Sequence, residues 1–157
     1  MTTKHELIAE LNTDRAKLLD LVARLDEAHA QTIVYGDWRV QDILAHIASG
    51  EKGTLTYAKM VAAGRPMGAS MSDGEPFDLD RWNQAQVNKR RSKSLQEIVV
   101  ELNANRKATL EYMSGLDVGT LARPGSHPIF QDATVAEVIS SLAEADRHHL
   151  REIEDVL

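Results

Sequence analysis

The 157-residue chain contains no cysteine. This absence excludes disulfide bonds, zinc sites built from thiolates and catalysis by a cysteine nucleophile. The residue types left for chemistry are His, Asp, Glu, Ser, Thr, Tyr and Lys.

The chain also lacks long apolar runs and basic runs. No apolar stretch approaches the ~18–20 residues of a membrane-spanning helix, and the first residues lack the apolar core of a signal peptide. The formal net charge is −6, with acidic and basic residues mixed along the chain, which argues against nucleic-acid binding. We therefore expect a cytoplasmic protein that binds neither membranes nor nucleic acids.

Four long segments show the apolar period of an α-helix. Three of them begin with a capping box, in which a hydroxyl and a Glu side chain satisfy the first backbone donors. The boxes are Thr3–Glu6, Ser94–Glu97 and Thr134–Glu137. The predicted helices run from about Thr3 to Asp26, from Asp37 or Trp38 to Gly64–Pro66, from Leu95 to Leu116 and from Val135 to Val156. No segment predicts a strand of any strength.

Four amphipathic helices in a chain of this length predict one all-α domain, a four-helix bundle over residues 1–157. The connection between the second and third long helices is about 30 residues, longer than the usual link in a bundle. It includes a loop over Met67–Phe77 and a shorter helix over Asp78–Arg91. Such a connection allows the second and third long helices to run in the same direction.

Sites in helical bundles are built from side chains that project inward from facing helices. The apolar stripe of the last helix is interrupted by Asp146 and His149, which are three residues apart and share a face. The second helix carries His46 and Glu51 in or beside its stripe, and the third carries Asn105 and Thr109. These polar groups predict either a functional pocket at mid-bundle or a set of satisfied buried polar pairs.

Two segments together resemble the DinB-like family. Residues Asp37–Ile47 resemble its second-helix signature, in which a Trp opens the helix and a His follows eight residues later. Residues Ala143–Ile153 are similar to its last-helix motif, and Leu121–Gly125 is a further similarity. The resemblance covers nearly the whole chain and implies a four-helix bundle that often pairs as a homodimer.

The resemblance implies a divalent metal, zinc or nickel, held by three histidines. His46 matches the ligand from the second helix, and His149 matches the later ligand from the last helix. Ala145 stands at the position of the earlier ligand and cannot bind a metal. Asp146 is a candidate third donor or the residue that orients His149, and Glu51 or water could contribute.

A shifted register offers a second arrangement of ligands on the last helix. Glu144 and His148 keep the spacing of four residues that places two side chains on one helical face. The apolar stripe contains His149 and not His148, so the alignment through His149 is preferred.

The resemblance leaves several functions open. The first is a metal-dependent transferase or hydrolase acting on a small electrophile, with a low-molecular-weight thiol such as mycothiol or bacillithiol as a possible co-substrate. The second is a metal-free hydrolase of the self-protection type, with Asp146, His149 or Glu51 as acid–base groups. The third is a non-catalytic bundle that binds a small apolar ligand.

The remaining histidines and both tryptophans are interpreted as structural. His5, His29 and His127 lie near helix ends or loops without partner spacing, which predicts surface positions. Trp38 is expected at the end of the bundle, and Trp82 could line the opening of a pocket from the connecting segment.

Overall fold

The computed structural model describes residues 2–65, 71 and 73–157. Its four long helices are α1 (Lys4–Ala23), α3 (Val40–Ala62), α5 (Leu95–Ser114) and α7 (Val135–Glu154). The shorter elements are α2 (Glu27–Ala30), β1 (Ile33–Tyr35), β2 (Trp38–Arg39), α4 (Leu79–Arg90) and α6 (Val118–Leu121). The predicted all-α bundle is confirmed, and the shorter helix predicted over Asp78–Arg91 is present as α4. The predicted loop Met67–Phe77 and the helix end at Pro66 lie partly outside the described residues.

The three predicted capping boxes are all formed. The hydroxyl of Thr3 accepts from the backbone N–H of Glu6 at 3.1 Å, and the Glu6 carboxylate accepts from the N–H of Thr3 at 2.8 Å. The same reciprocal pairs begin α5 at Ser94 and α7 at Thr134. Each box satisfies donors that have no partner within the helix, and so sets the first residue of the helix.

The prediction that the chain has no strand is wrong at one place. β1 and β2 form an antiparallel hairpin around Gly36, whose φ is 56°. Tyr35 pairs with Trp38, so α3 begins at Val40 and not at Trp38. A strand of three residues is too short to show a periodic pattern, although Ile33 and Tyr35 are residues that favour strands.

The helices α3 and α5 run in the same direction, as the long connection predicted. Near their starts, the side chain of Gln41 donates to the backbone oxygen of Lys93 at 2.5 Å. Seven residues further along α3, the backbone oxygen of Ala48 accepts from Asn105 Nδ2 at 2.8 Å. Because the second contact lies nearer the C-terminal end of both helices than the first, the two helices are parallel. The element α4 packs against α3 within the connection between them.

The core is divided into two apolar clusters. One cluster includes Leu7, Leu11, Tyr57, Val61, Met113, Val135 and Ile139. The other includes Leu18, Val22, Val40, Ile43, Leu44, Ile98, Leu102 and Ile153. Residues between the two clusters come from the middle of each long helix, where the sequence stripes are interrupted by polar residues. Within the described ranges, no helix is both long and apolar enough to cross a membrane.

Candidate functional site

A buried layer of four charges lies between the two apolar clusters, with one side chain from each long helix. Arg15 Nε donates to Asp146 Oδ2 at 3.0 Å, and Arg15 Nη2 donates to Glu51 Oε2 at 2.8 Å. Arg106 Nε donates to Glu51 Oε1 at 2.8 Å, and Arg106 Nη2 donates to Asp146 Oδ2 at 3.1 Å. The four side chains are 1% to 6% exposed. Their charges cancel, which is how such a layer is tolerated in a core.

The layer is completed by neutral partners. Arg15 Nη1 donates to the backbone oxygen of Leu102, and Arg106 Nη1 donates to that of Leu11. Thr109 Oγ1 donates to Glu51 Oε1 at 2.9 Å. Burial alone would raise the pKa of Glu51, but the two arginines outweigh burial and lower it below its ordinary value. Glu51 is therefore an ionised acceptor at neutral pH.

The predicted catalytic residues Asp146 and Glu51 are thus held by two arginines that the sequence interpretation did not include. Arg15 and Arg106 occupy the gaps between Leu11 and Leu18 on α1 and between Leu102 and Met113 on α5. Those gaps were the available signal, since a charged residue on an apolar stripe requires a buried partner. The catalytic roles of Asp146 and Glu51 stay predictions.

The predicted metal ligands His46 and His149 meet between α3 and α7. Their rings lie 4.9 Å apart between centroids, in an edge-to-face arrangement. Burial, together with the neighbouring histidines, lowers the pKa of His46 to about 4. Burial also lowers the pKa of His149, and the Glu152 carboxylate partly opposes that shift. Within the described chain, His46 Nδ1 is buried and has no hydrogen-bond partner.

Glu152 joins this centre from the next turn of α7. Its Oε1 contacts His149 Nδ1 directly and lies 3.6 Å from His148 Nε2. Potential ligand atoms of His148, His149 and Glu152 lie within 4.8 Å of one another. The sequence interpretation missed Glu152, although it stands three residues after His149 and so shares its helical face. Glu144, the carboxylate of the shifted register, is exposed and is not in this group.

These donors fit a divalent ion in composition. Zinc and nickel accept imidazole nitrogen and carboxylate oxygen, and histidine binds a metal through a neutral ring. The partnerless Nδ1 of His46 shows that one ring nitrogen is not committed within the protein. Ala145 lines the adjacent cavity and offers only a methyl group. Glu152 contacts His149, and the described group of potential ligand atoms within 4.8 Å of one another contains His148 and not His46.

The histidine pair lies at one end of a cavity of about 340 Å³. The charged floor is formed by Arg15, Glu51 and Asp146, and most of the other wall residues are apolar or aromatic. The further lining residues are Ile47, Gly50, Gly53, Thr54, Tyr57, Phe77, Leu79, Trp82, Asn83, His127, Ile129, Phe130, Ser141 and Leu142. The cavity is near the lower end of the volumes usual for small-molecule sites.

The cavity changes the interpretation of His127 and agrees with that of Trp82. His127 was predicted at the surface, but it lines the cavity and its ring lies 4.6 Å from that of Tyr57. The loop before α7 folds back over α3, which no local pattern around His127 indicates. Trp82 lines the cavity as predicted, because Gly53 leaves room for its ring against α3. Trp38 packs on His46 at 5.3 Å between ring centroids and donates to Gln84 at 2.9 Å.

Comparisons with known proteins agree with this architecture. No curated protein matches the chain significantly. Among solved structures, YfiT from Bacillus subtilis is similar, with a TM-score of 0.76 and 17% sequence identity, over 98% of this chain and 85% of YfiT. YfiT is described as a probable metal-dependent hydrolase with an unusual four-helix bundle topology. The sequence profile of the DinB superfamily matches residues 10–153, so the chain belongs to the DinB superfamily.

Proposed function

We propose that this protein is a metal-dependent hydrolase that acts on a small electrophilic substrate in the cavity. The observation that carries the proposal is the meeting of His46 and His149, from facing helices, at one end of a largely apolar cavity. The description of YfiT as a probable metal-dependent hydrolase supports the same class of reaction.

In this proposal, His46 and His149 hold a zinc or nickel ion, and Glu152 supplies the third donor or fixes the His149 ring. A carboxylate paired with the second nitrogen of a ligand histidine sets its tautomer and orientation. A bound ion would lower the pKa of a coordinated water or thiol and polarise the electrophile. Trp38 packs on the His46 ring and limits its movement.

The buried ionic layer has a positioning role in this proposal. Arg15 and Arg106 hold Asp146 on α7 and Glu51 on α3, so they fix the two helices that carry His149 and His46. Asp146 lies one turn before His149 on α7, and Glu51 lies just over one turn after His46 on α3. A shift of either helix would separate the two histidines.

The nucleophile in this centre is either water or a low-molecular-weight thiol. With water the reaction is hydrolysis: the water oxygen bonds to the electrophilic carbon and the leaving group departs with a proton. With a thiol, sulfur takes the place of oxygen and the product is a thioether or thioester. Addition of a thiol to the assay distinguishes the two, because a transferase would form the sulfur adduct and a hydrolase would not.

A second candidate is a metal-free hydrolase, favoured by Ala145 at the position of the missing ligand. His149 is then the base. Glu152 orients it through the contact with Nδ1, and the other ring nitrogen of His149 accepts a proton from water. Asp146 and Glu51 hold the helices in this version too. A bundle that binds a small apolar ligand without catalysis is the remaining alternative, and the aromatic cavity favours it.

The test measures the hydrolysis of an activated aryl ester by protein from which metal has been removed with a chelator, with and without added zinc or nickel. The proposal predicts hydrolysis that requires the metal and is lost in His149→Ala. The matched control is His5→Ala, because His5 is exposed on α1 and neither lines the cavity nor belongs to the group of potential ligands. Hydrolysis that persists after chelation and is lost in His149→Ala would support the metal-free candidate, and no hydrolysis in any condition would support ligand binding alone.

A further inference from the structure

The cavity extends well beyond the histidine pair, along one face of α3. Its lining begins at His46, continues through Gly50 and Gly53, and ends at Tyr57. His46 and Tyr57 are eleven residues apart, which is about 16 Å along a helix that rises 1.5 Å per residue. A ligand whose reacting group lies at the histidines would therefore reach only part of the cavity unless it were elongated.

The far end of the cavity is an aromatic cluster of Tyr57, Phe77, His127 and Phe130. The rings of Tyr57 and Phe130 are stacked, with centroids 5.4 Å apart and planes at 9°. His127 lies 4.6 Å from Tyr57, 5.2 Å from Phe130 and 5.7 Å from Phe77. Its Nδ1 accepts from the backbone N–H groups of Ile129 and Phe130, which fixes the ring in place. These packed rings present an aromatic wall to the cavity.

The middle of the cavity is open because Gly50 carries no side chain to fill it. A Cβ at Gly50 would meet no atom within 4 Å, so a larger side chain there would project into free space. A Cβ at Gly53 would lie 3.0 Å from Trp82 Cη2, so this glycine lets the Trp82 ring close one wall. Both glycines cost helix stability in the interior of α3, but Gly50 keeps the cavity open beside the helix and Gly53 accommodates the Trp82 ring.

The charges beneath the cavity do not select a charged tail. Arg15 is paired with Glu51 and Asp146, and these groups satisfy one another. The wall residues at the far end are apolar or aromatic, and Leu79 and Ile129 are partly exposed beside them. An uncharged tail would bury apolar surface there without leaving a charge unpaired.

We infer that the cavity binds substrates with an uncharged, aromatic-ended tail, which occupies the cluster of Tyr57, Phe77, His127 and Phe130. The electrophilic group of such a substrate lies at His46 and His149, and the chain between them passes Gly50. The position of the electrophilic group rests on the proposed function. The tail subsite does not, because it depends only on the shape and chemistry of the cavity.

The test uses ω-phenylalkanols of increasing chain length as probes, since they carry no electrophile and no strong metal-binding group. Binding of each alcohol to protein from which metal has been removed with a chelator is measured by isothermal titration calorimetry. The affinity should rise with chain length until the alcohol spans the cavity and then fall. Gly50→Leu should weaken the long members at least about tenfold, which is about 1.4 kcal/mol, and leave the shortest member unchanged. Val100→Ala, an exposed change on α5, is the matched control.

A second variant distinguishes loss of the tail subsite from misfolding of Gly50→Leu. Phe130→Leu keeps an apolar side chain and should remove the preference for a phenyl end over a cyclohexyl end. Circular dichroism of each variant confirms the helical fold. Affinity that is independent of chain length, or unchanged in both Gly50→Leu and Phe130→Leu, would overturn the inference. Failure of the hydrolase proposal would leave these binding results unchanged, and failure of the tail subsite would leave metal-dependent hydrolysis intact.

Discussion

Arg106 on α5 donates from Nε to Oε1 of Glu51 on α3 at 2.8 Å, and both side chains are buried in the middle of the bundle. This ion pair, with Arg15 and Asp146, joins all four long helices at one level. It lies between the two apolar clusters and directly beneath the cavity. The candidate site and the stability of the bundle therefore depend on the same residues.

The first prediction concerns removal of one member of this layer. Arg106→Ala should destabilise the protein by about 3–5 kcal/mol, because it leaves buried carboxylates with too few partners. Chemical denaturation followed by circular dichroism measures the free energy of unfolding. Arg81→Ala, which removes an exposed ion pair with Asp73, is the control and should change stability little. Equal effects of the two substitutions would show that the buried layer is not a stabilising unit.

The second prediction is a dependence of stability on pH. The arginines lower the pKa of Glu51 in the folded state below 4.5, the ordinary value of a Glu side chain. The contribution of Glu51 is therefore complete above pH 4.5 and is lost as the pH falls through its lower folded value, because the unfolded chain binds the proton first. The free energy of unfolding of the parent should fall more steeply below pH 4.5 than that of Glu51→Gln. Parallel curves for the two proteins would contradict this explanation.

The third prediction concerns Ala145, which stands where the family pattern has a metal-binding histidine. Ala145 lines the cavity four residues before His149, so a histidine at this position would face the same centre. Ala145→His should bind zinc or nickel at least about tenfold more tightly than the parent, about 1.4 kcal/mol. Competition with a chromogenic chelator measures the affinity. An unchanged or weaker affinity would show that the centre is not placed as the family pattern implies.

The fourth prediction concerns the carboxylate beside His149. Glu152→Gln should weaken metal binding about 10–100-fold, the effect usual for loss of a carboxylate that supports a ligand histidine. Glu154→Gln, two residues further along α7 and exposed, is the matched control. If both variants bound metal as the parent does, Glu152 would be only a surface partner of His148 and His149.

Local rules were sufficient to predict the long helices. Thr3, Ser94 and Thr134 satisfy backbone donors within one turn, so their effect can be read without knowledge of the fold. The β1–β2 hairpin escaped prediction because three residues cannot show a period. Its effect is local, and it moves the start of α3 from Trp38 to Val40.

Most of the predicted residues of the candidate site interrupt an apolar stripe, and their roles stay predictions. His46, His149, Glu51 and Asp146 were found in this way. Arg15 and Arg106 were missed because long side chains often reach the surface from a position beside the core. His127 was missed for a different reason: it enters the cavity through the path of a loop, which depends on tertiary contacts with Tyr57 and Phe130.

The most direct test of the metal-dependent account is elemental analysis of the purified, untagged protein beside its His46→Ala, His149→Ala and His5→Ala variants. The account predicts near-stoichiometric zinc or nickel in the parent and in His5→Ala, and loss of the metal in His46→Ala and His149→Ala. A parent that contains no metal and does not take up added zinc or nickel would contradict the account.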